Sequence, residues 1–592
     1  MSHTFHIPVL GLGFSIDTPL KVAKYGISSV ISIVDDELLE RMREYHSGKR
    51  AQGFEAIGKT SADSRSKRIT AYLNFLHQNI CTDFLSLKQM DFIRGNELCR
   101  YFELLPDTSP LKHGYELMMD YPEGEQKQIF QRLLKNGMVM GSIDVNIMAK
   151  VDKMNFADGA YTGDENTDAL AALRGFAESD LSSALILSAG MNPKLYSYLE
   201  HFGDFFPDEK GETKKKIILK VSDFRSAIIQ SKFLAKKGLW VSEFRIESGL
   251  NCGGHAFATE GFLLGPILDE FKQRKQSMLD ELKDICSNAL NQKGIAVKNT
   301  PEQRISVQGG IGTAEENSFL LQYYGLNATG WGSPFLLVPE VTNVDVDTLA
   351  KLVQAKNDDF YLSRSSPLGI QFNNFKGSSI ESLRLSRLEK GRPGSPCTKK
   401  YLCNNTEFTE QAICTASREY QHLKIKSLQS ATLPADEYQR KLDEVTEKVC
   451  LCEGLCASVY LKYQINKPKE HLAVAICPGP NLAYFNQVYQ LEDLVGHIYG
   501  RINLLEQVDR PHVFIKELNL YIDYLQKDIQ QHVQLFTAKK KKQLEDFRSQ
   551  LFNGLNYYKN LFEEVRNQVS FQFDEIAEQL NLSGKVLESL VI

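Results

Sequence analysis

The feature that most constrains this chain is an alternation of short apolar runs with segments of helical period. IPVLGLGF starts at residue 7 and ISSVISIV at 27. MVMGSIDVNIM (138–148), ALILSAG (184–190), KIILKVS (216–222), WVSEFRIES (240–248), RISVQGG (304–310) and ATGWGSPFLL (328–337) follow. Between most of them lie helical segments such as DTPLKVAKYG, PKLYSYLEHFG and DFRSAIIQSKFLAKKG. Strands that alternate with helices pair in parallel, because each helix carries the chain back to the same end of the sheet. About eight such strands over some 340 residues predict a closed (β/α)8 TIM barrel.

The alternation is interrupted from about 37 to 135 by a charged, helix-like stretch that includes basic SRSKR, read as an insertion. Past Gly377 the chain turns to GRPGSPCTKKYLC and a cysteine-rich stretch that ends near ICPGPNLAYF (476–485). The last part steps by three or four through Ile515, Leu518, Ile522, Leu525, Ile529, Val533 and Phe536. Leu544, Phe547 and Leu551, then Tyr558, Leu561 and Val565, repeat that step. The expected organisation is an α/β chain: a barrel over 1–376 with a helical insertion at about 37–135, a Cys-rich module over 377–490, and an α-helical region over 491–592. The apolar stripes read as core, with a dimeric coiled coil as the alternative.

With 69 Lys+Arg against 74 Asp+Glu, the net charge of -5 gives no general attraction to nucleic acid or anionic lipid, so a small-molecule partner is expected. No apolar run is long enough to span a membrane, and MSHTFHIPVLGLGF lacks a charged region before a long apolar core. A cytoplasmic location is expected. Thiols stay reduced there, so the cluster Cys397, Cys403, Cys414, Cys450, Cys452 and Cys456 points to metal or redox chemistry rather than to disulfides.

Two segments carry candidate chemistry in the barrel. In VQGGIGTAEENSFLLQYYGLNATGWGSPFLL, one strand ends in Gly309-Gly310, with Gly312 just before a helix start, and the next ends at Gly332-Ser333. Glycines there let backbone N–H groups approach an anion, and barrels commonly hold phosphate after strands 7 and 8. The same glycines also suit tight turns. In ESGLNCGGHAFATEG, Gly253, Gly254 and His255 follow a strand, which places the histidine at the active-site end. A neutral imidazole there can move a proton, whereas elsewhere it would be a structural histidine.

ESGLNCGGH, VQGGIGT and ATGWGSPFLLVPE resemble the matching segments of the nitronate monooxygenase family, also called 2-nitropropane dioxygenases, which are FMN-dependent (β/α)8 barrels. The resemblance extends through IPVLGLGFSIDTPLKVAKYG, DVNIM and FYLSRSSPLGIQFNNF, and covers most of 5–376 outside the insertion. It implies that Gly309, Gly310, Gly332 and Ser333 hold the FMN phosphate and that Gly11, Gly13, Asn146 and Lys220 lie nearer the flavin ring or ribityl chain. It also puts His255 at the catalytic-base position. Leu-Gly-Phe stands where the family has a methionine after its first strand, and Asn251-Cys252 replaces Glu-Ala before Gly-Gly-His. Related barrels include FMN-dependent enoyl-thioester reductases that use NAD(P)H, so the motifs specify a flavin barrel more than a substrate. A catalytically idle scaffold is the reading from another class.

The cysteine spacings C-x5-C-x10-C and C-x-C-x3-C match neither paired zinc knuckles nor the compact ferredoxin run. Thiolates from separated loops can hold a [4Fe–4S] cluster or zinc, or can remain free or redox-active. Cys397, Cys414, Cys450, Cys452 and Cys477 are the candidate ligands, with Cys403 and Cys456 as spectators. A cluster would relay electrons between the flavin and a protein donor or acceptor.

Overall fold

A computed structural model describes residues 3–148, 151–157, 159–188, 190–252, 260–299, 301–532 and 537–592. Eight strands form the barrel: β1 (Phe5–Ile7), β2 (Ser28–Ser32), β3 (Ile143–Ile147), β4 (Ser183–Leu187), β5 (Lys215–Val221), β6 (Val241–Glu247), β7 (Arg304–Gln308) and β8 (Ala328–Gly330). They close in the order β1-β8-β7-β6-β5-β4-β3-β2, with every neighbouring pair parallel. The (β/α)8 barrel expected from the alternation is therefore the fold.

Two strands cover little of their apolar runs. Pro8 has no N–H to give the ladder, so β1 stops at Ile7 and Gly11 and Gly13 fall in the following loop. In the last run, β8 ends at Gly330 and Ser333–Leu337 forms a 3-10 helix with Pro334 in its first turn. The interruption between β2 and β3 is helical, as expected: Asp36–Lys49, Ser64–Gln89, Glu97–Leu104, Pro110–Asp120 and Glu125–Gly137.

The two-residue period of a strand sends alternate side chains into the barrel. Val9, Val30, Ala184, Ile186 and Ile218 form an apolar cluster separate from the main core. Facing polar positions carry charge: Arg245 lies 2.8 Å from Glu243 and 3.4 Å from Asp144, all buried. Two residues along the same strands, Ser32, Asn146, Lys220 and Glu247 make a polar layer at the C-terminal end.

The C-terminal stripes lie on the helices Val513–His532 and Ala538–Glu564, with Phe573–Ser589 beyond. Ile515, Leu518, Ile522, Leu525, Ile529, Leu544, Phe547, Leu551, Tyr558, Leu561 and Val565 are buried within the chain, while Val533 and Phe536 lie outside the described residues. Contact with the barrel is close, since a Cβ at Gly265 would lie 2.3 Å from the Tyr558 ring. Among the described residues, no helix is long and apolar enough to cross a membrane.

Candidate active site at the barrel mouth

The polar layer forms one side of a cavity of about 150 Å³. Gly11, Ser32, Asn146, Ser188, Lys220 and Glu247 supply the barrel side, and Leu368, Tyr401, Leu402, Leu451, Cys452 and Leu455 cover it. The cover is held by the helix Leu451–Tyr463, whose Leu455 carbonyl accepts the Gly13 N–H at 3.0 Å. A Cβ at Gly13 would lie 2.9 Å from Val459 Cγ1. Gly13, expected near the flavin, instead lets this helix approach the barrel.

Lys220 Nζ donates to Glu247 Oε1 at 3.1 Å, and the same oxygen accepts Asn251 Nδ2 at 2.7 Å and Gln308 Nε2 at 2.6 Å. Among the described residues, the buried Asn146 Oδ1 and Ser188 Oγ meet no hydrogen-bond partner. An unmet buried polar atom costs about 1–3 kcal/mol and most are paired. Two such atoms on residues that line one cavity point to a polar ligand.

The glycine turn after β7 has φ of +108° at Gly309 and +81° at Gly310, left-handed values that favour glycine. A Cβ at Gly310 would also lie 2.5 Å from Leu250. The Gly312 N–H is already committed, donating to Glu316 Oε2 at 2.8 Å. Glu316 Oε1 accepts Arg510 Nη1 at 2.6 Å, and Arg510 Nη2 donates to the Gly310 carbonyl at 2.7 Å. The chain's own carboxylate thus sits at this helix start, which removes Gly312 from the expected phosphate contacts. Ser333 Oγ accepts the Gly479 N–H at 2.9 Å. Among the described residues, the N–H groups of Gly309, Gly310 and Gly332 meet no acceptor. Gly253, Gly254 and His255 lie outside the described residues.

For FMN, then, Gly11, Asn146, Lys220 and Ser188 offer a fitting donor and acceptor set at the cavity, whereas Gly309, Gly310, Gly332 and Ser333 do not line it and pack against Asn251, Leu250, Cys252 and Gly479. As closed, the cavity admits a group of about the size of benzene, so a three-ring cofactor requires the cover to move. Ser188 and Glu247 were not singled out from sequence. Their signal is the strand period, which puts Glu247 two residues after inward Arg245.

Behind the cover, Cys397, Cys403, Cys414, Cys450, Cys452 and Cys477 gather in one buried cluster with Phe372, Ile380 and Leu402. All eleven cysteines are free, and Sγ of Cys397 and Cys403 are 4.0 Å apart. Cys403, read from sequence as a spectator, belongs to the cluster because the turn after Pro396 folds it back beside Cys397. Cys456 lies apart, its thiol donating to Asp35 Oδ2 at 3.4 Å. Cys450, Glu453 and His471 bring their ligand atoms within 4.8 Å of one another. The Cys452 thiol holds Cys450 well below the usual thiol range, with His471 adding to the effect. Burial opposes the charge on His471, but Cys450 and Glu453 raise it to about 9.

No family model matches this sequence, and no curated protein matches it. Among solved structures, the enoyl reductase domain of MlnA from the macrolactin biosynthesis cluster of Bacillus amyloliquefaciens is similar at 14% identity and a TM-score of 0.30, over 76% of this chain and 88% of that one. FabK from Thermotoga maritima is similar at 10% identity and a TM-score of 0.34, over 88% of this chain and 96% of that one. At TM-scores this low, neither likeness assigns an activity.

Proposed function

We propose that this chain is an FMN-dependent oxidoreductase acting on a small organic substrate at the barrel mouth. The observation that carries the reading is the pair of unpartnered polar atoms, Asn146 Oδ1 and Ser188 Oγ, at one cavity on the C-terminal ends of the strands, where TIM-barrel enzymes place their chemistry. Bound flavin would supply the electron transfer. Asn146, Ser188 and Lys220 would orient its ring. Glu247 fixes the Lys220 ammonium in place. The leucines of the cover exclude water, which strengthens every polar contact beneath them. His255, in the segment that follows β6, is the proton donor or acceptor in this reading.

The test is the cofactor released by heat from gently purified protein, together with its absorption spectrum. FMN is expected; FAD, or no flavin at all, would overturn the reading. His255→Ala should then lower turnover about a hundred- to ten-thousand-fold while flavin content stays constant. Unchanged turnover would return His255 to a structural role.

A further inference from the structure

We propose that Cys450, Glu453 and His471 bind one zinc ion, which clamps the cover over the barrel mouth. The site does not rest on the flavin reading, since none of the three residues lines the cavity.

Local structure brings the three together. Cys450 is the N-cap of the helix Leu451–Tyr463, and Glu453 lies three residues on in its first turn, so both stand on one face of the helix start. The chain then returns beside that turn. The Ala475 N–H donates to the Gly454 carbonyl at 3.0 Å, and a Cβ at Gly454 would lie 2.6 Å from that of Ala475. His471 precedes this contact by four residues. Cys450 and Glu453 are buried, and the His471 side chain is 14% exposed. One ligand atom from each lies within 4.8 Å of the other two. Among the described residues, no other three His, Cys, Asp or Glu side chains meet in this way. Cys397 and Cys403, 4.0 Å apart, therefore have no such third partner, and the same holds for Cys414, Cys452 and Cys477.

A second observation is a close contact without a hydrogen bond. His471 Nε2 lies 2.7 Å from Glu453 Oε2, yet among the described residues neither buried ring nitrogen meets a partner of hydrogen-bond geometry. The contact is off the axis of the ring nitrogen. A metal ion bound to both atoms also sits off the line that joins them. Zn–N and Zn–O bonds of about 2.0 Å set a tetrahedral N–O edge of about 3.3 Å, so loading widens the contact by about 0.6 Å. From the other side the Thr398 hydroxyl donates to Glu453 Oε1, an outer contact of the kind that orients a ligating carboxylate.

The donor set selects the metal. Magnesium and calcium take oxygen ligands, whereas a thiolate, an imidazole and a carboxylate together suit zinc. The thiolate and the carboxylate also cancel the charge of the ion, which lowers the cost of burying it. Water completes the fourth position. Cys450 leads into Leu451, Cys452 and Leu455, and Thr398 leads into Tyr401 and Leu402, all of which cover the cavity. The ion thereby fixes the helix start and, through Glu453 and Thr398, the second segment of the cover.

The test uses the full chain, purified untagged and reduced. Elemental analysis should give about one zinc per chain, and Cys450→Ser, Glu453→Gln and His471→Gln should each lower it to near zero. Replacement by Ser at Cys397, Cys403, Cys414, Cys452 or Cys477 should leave zinc bound. Where a variant fails to fold, wild-type protein stripped with a chelator is reloaded with cobalt, and a four-coordinate spectrum with charge transfer from a single thiolate supports the site. Stripping should also speed proteolysis across 391–486 while the barrel stays intact, and an unchanged rate would overturn the clamp. Iron in place of zinc, no zinc in the wild type, full zinc in all three variants, zinc lost from a folded variant at any of the other five cysteines, or cobalt bound by several thiolates would overturn the site.

Discussion

At the barrel mouth, Ser32, Asn146, Lys220 and Glu247 reach one cavity from four strands whose two-residue period aims them inward. The thiol cluster, on the other side of the cover helix, draws Cys397, Cys403 and Cys414 from irregular backbone and Cys452 from a helix. The first site is prepared by a repeating rule, so its members sit at regular offsets. The second depends on where loops happen to return, and Cys397 itself is held at a φ of +55°, a conformation non-glycine residues rarely adopt. The barrel site should therefore tolerate loss of the module better than the thiol site tolerates loss of the barrel.

The sharpest way to break that comparison is at the buried pair. Lys220→Met leaves Glu247 buried without its cation and should cost about 3–5 kcal/mol of stability in urea denaturation. Adding Glu247→Gln should recover much of it. An unchanged midpoint for Lys220→Met would mean that solvent already screens the pair.

The contact between the two regions comes next. A Cβ at Gly13 meets Val459 and the Leu455 carbonyl, so Gly13→Ala should cost about 1–3 kcal/mol through overpacking. The expected signature is faster proteolysis across 391–486 with the barrel intact, together with quicker uptake of flavin as the cover loosens. Uniform resistance to protease would show that the cover does not depend on this approach.

A smaller effect separates a binding group from a packing group. Asn146→Leu removes an unpartnered buried acceptor, so flavin-free protein should melt at the same temperature or gain up to about 1–3 kcal/mol, while flavin content falls. A variant that loses stability and keeps its flavin would place Asn146 in the scaffold.

The smallest expected change is with pH. Glu517 accepts from Ser248 Oγ, the Gly249 N–H and the Leu264 N–H, and so joins both ends of the segment that carries His255. Burial pushes its carboxyl up to about 7 against this hydrogen bonding. The folded chain then holds a proton that the unfolded chain has released between the ordinary carboxylate range and about 7. This stabilisation is complete below the unfolded value and declines as pH rises through the folded one, on the order of 1 kcal/mol between about pH 6 and 8. Glu517→Gln should flatten the slope of thermal stability with pH, and an unaltered slope would assign it to another group.

The barrel was legible because strand and helix periods are local: each of the eight apolar runs overlaps a barrel strand, although β1 meets its run only at Ile7. Gly11, Asn146 and Lys220 reach the cavity for the same reason, each lying in or beside a strand end. Gly13 and Gly312 meet protein where the sequence suggests a ligand, because a glycine announces only that something comes close, and the partners, Leu455 in one case and Glu316 with Arg510 in the other, are set by packing. Cys403 was set aside because KKYLC reads as continuing into an apolar element, yet the chain turns there and brings Cys403 to Cys397.

By itself, then, the sequence determined the number and order of the parallel strands, the helical character of the interruption and of the C-terminal stripes, and the glycines at strand ends, all through hydrophobic period and backbone freedom that act within a few residues. Tertiary structure alone decided which polar atoms lack partners, which glycines face protein, and which thiols meet. Those outcomes depend on contacts such as Gly13 with Leu455 and Gly312 with Arg510, between residues far apart in the chain, and burial assigns their energies only once the whole core has closed.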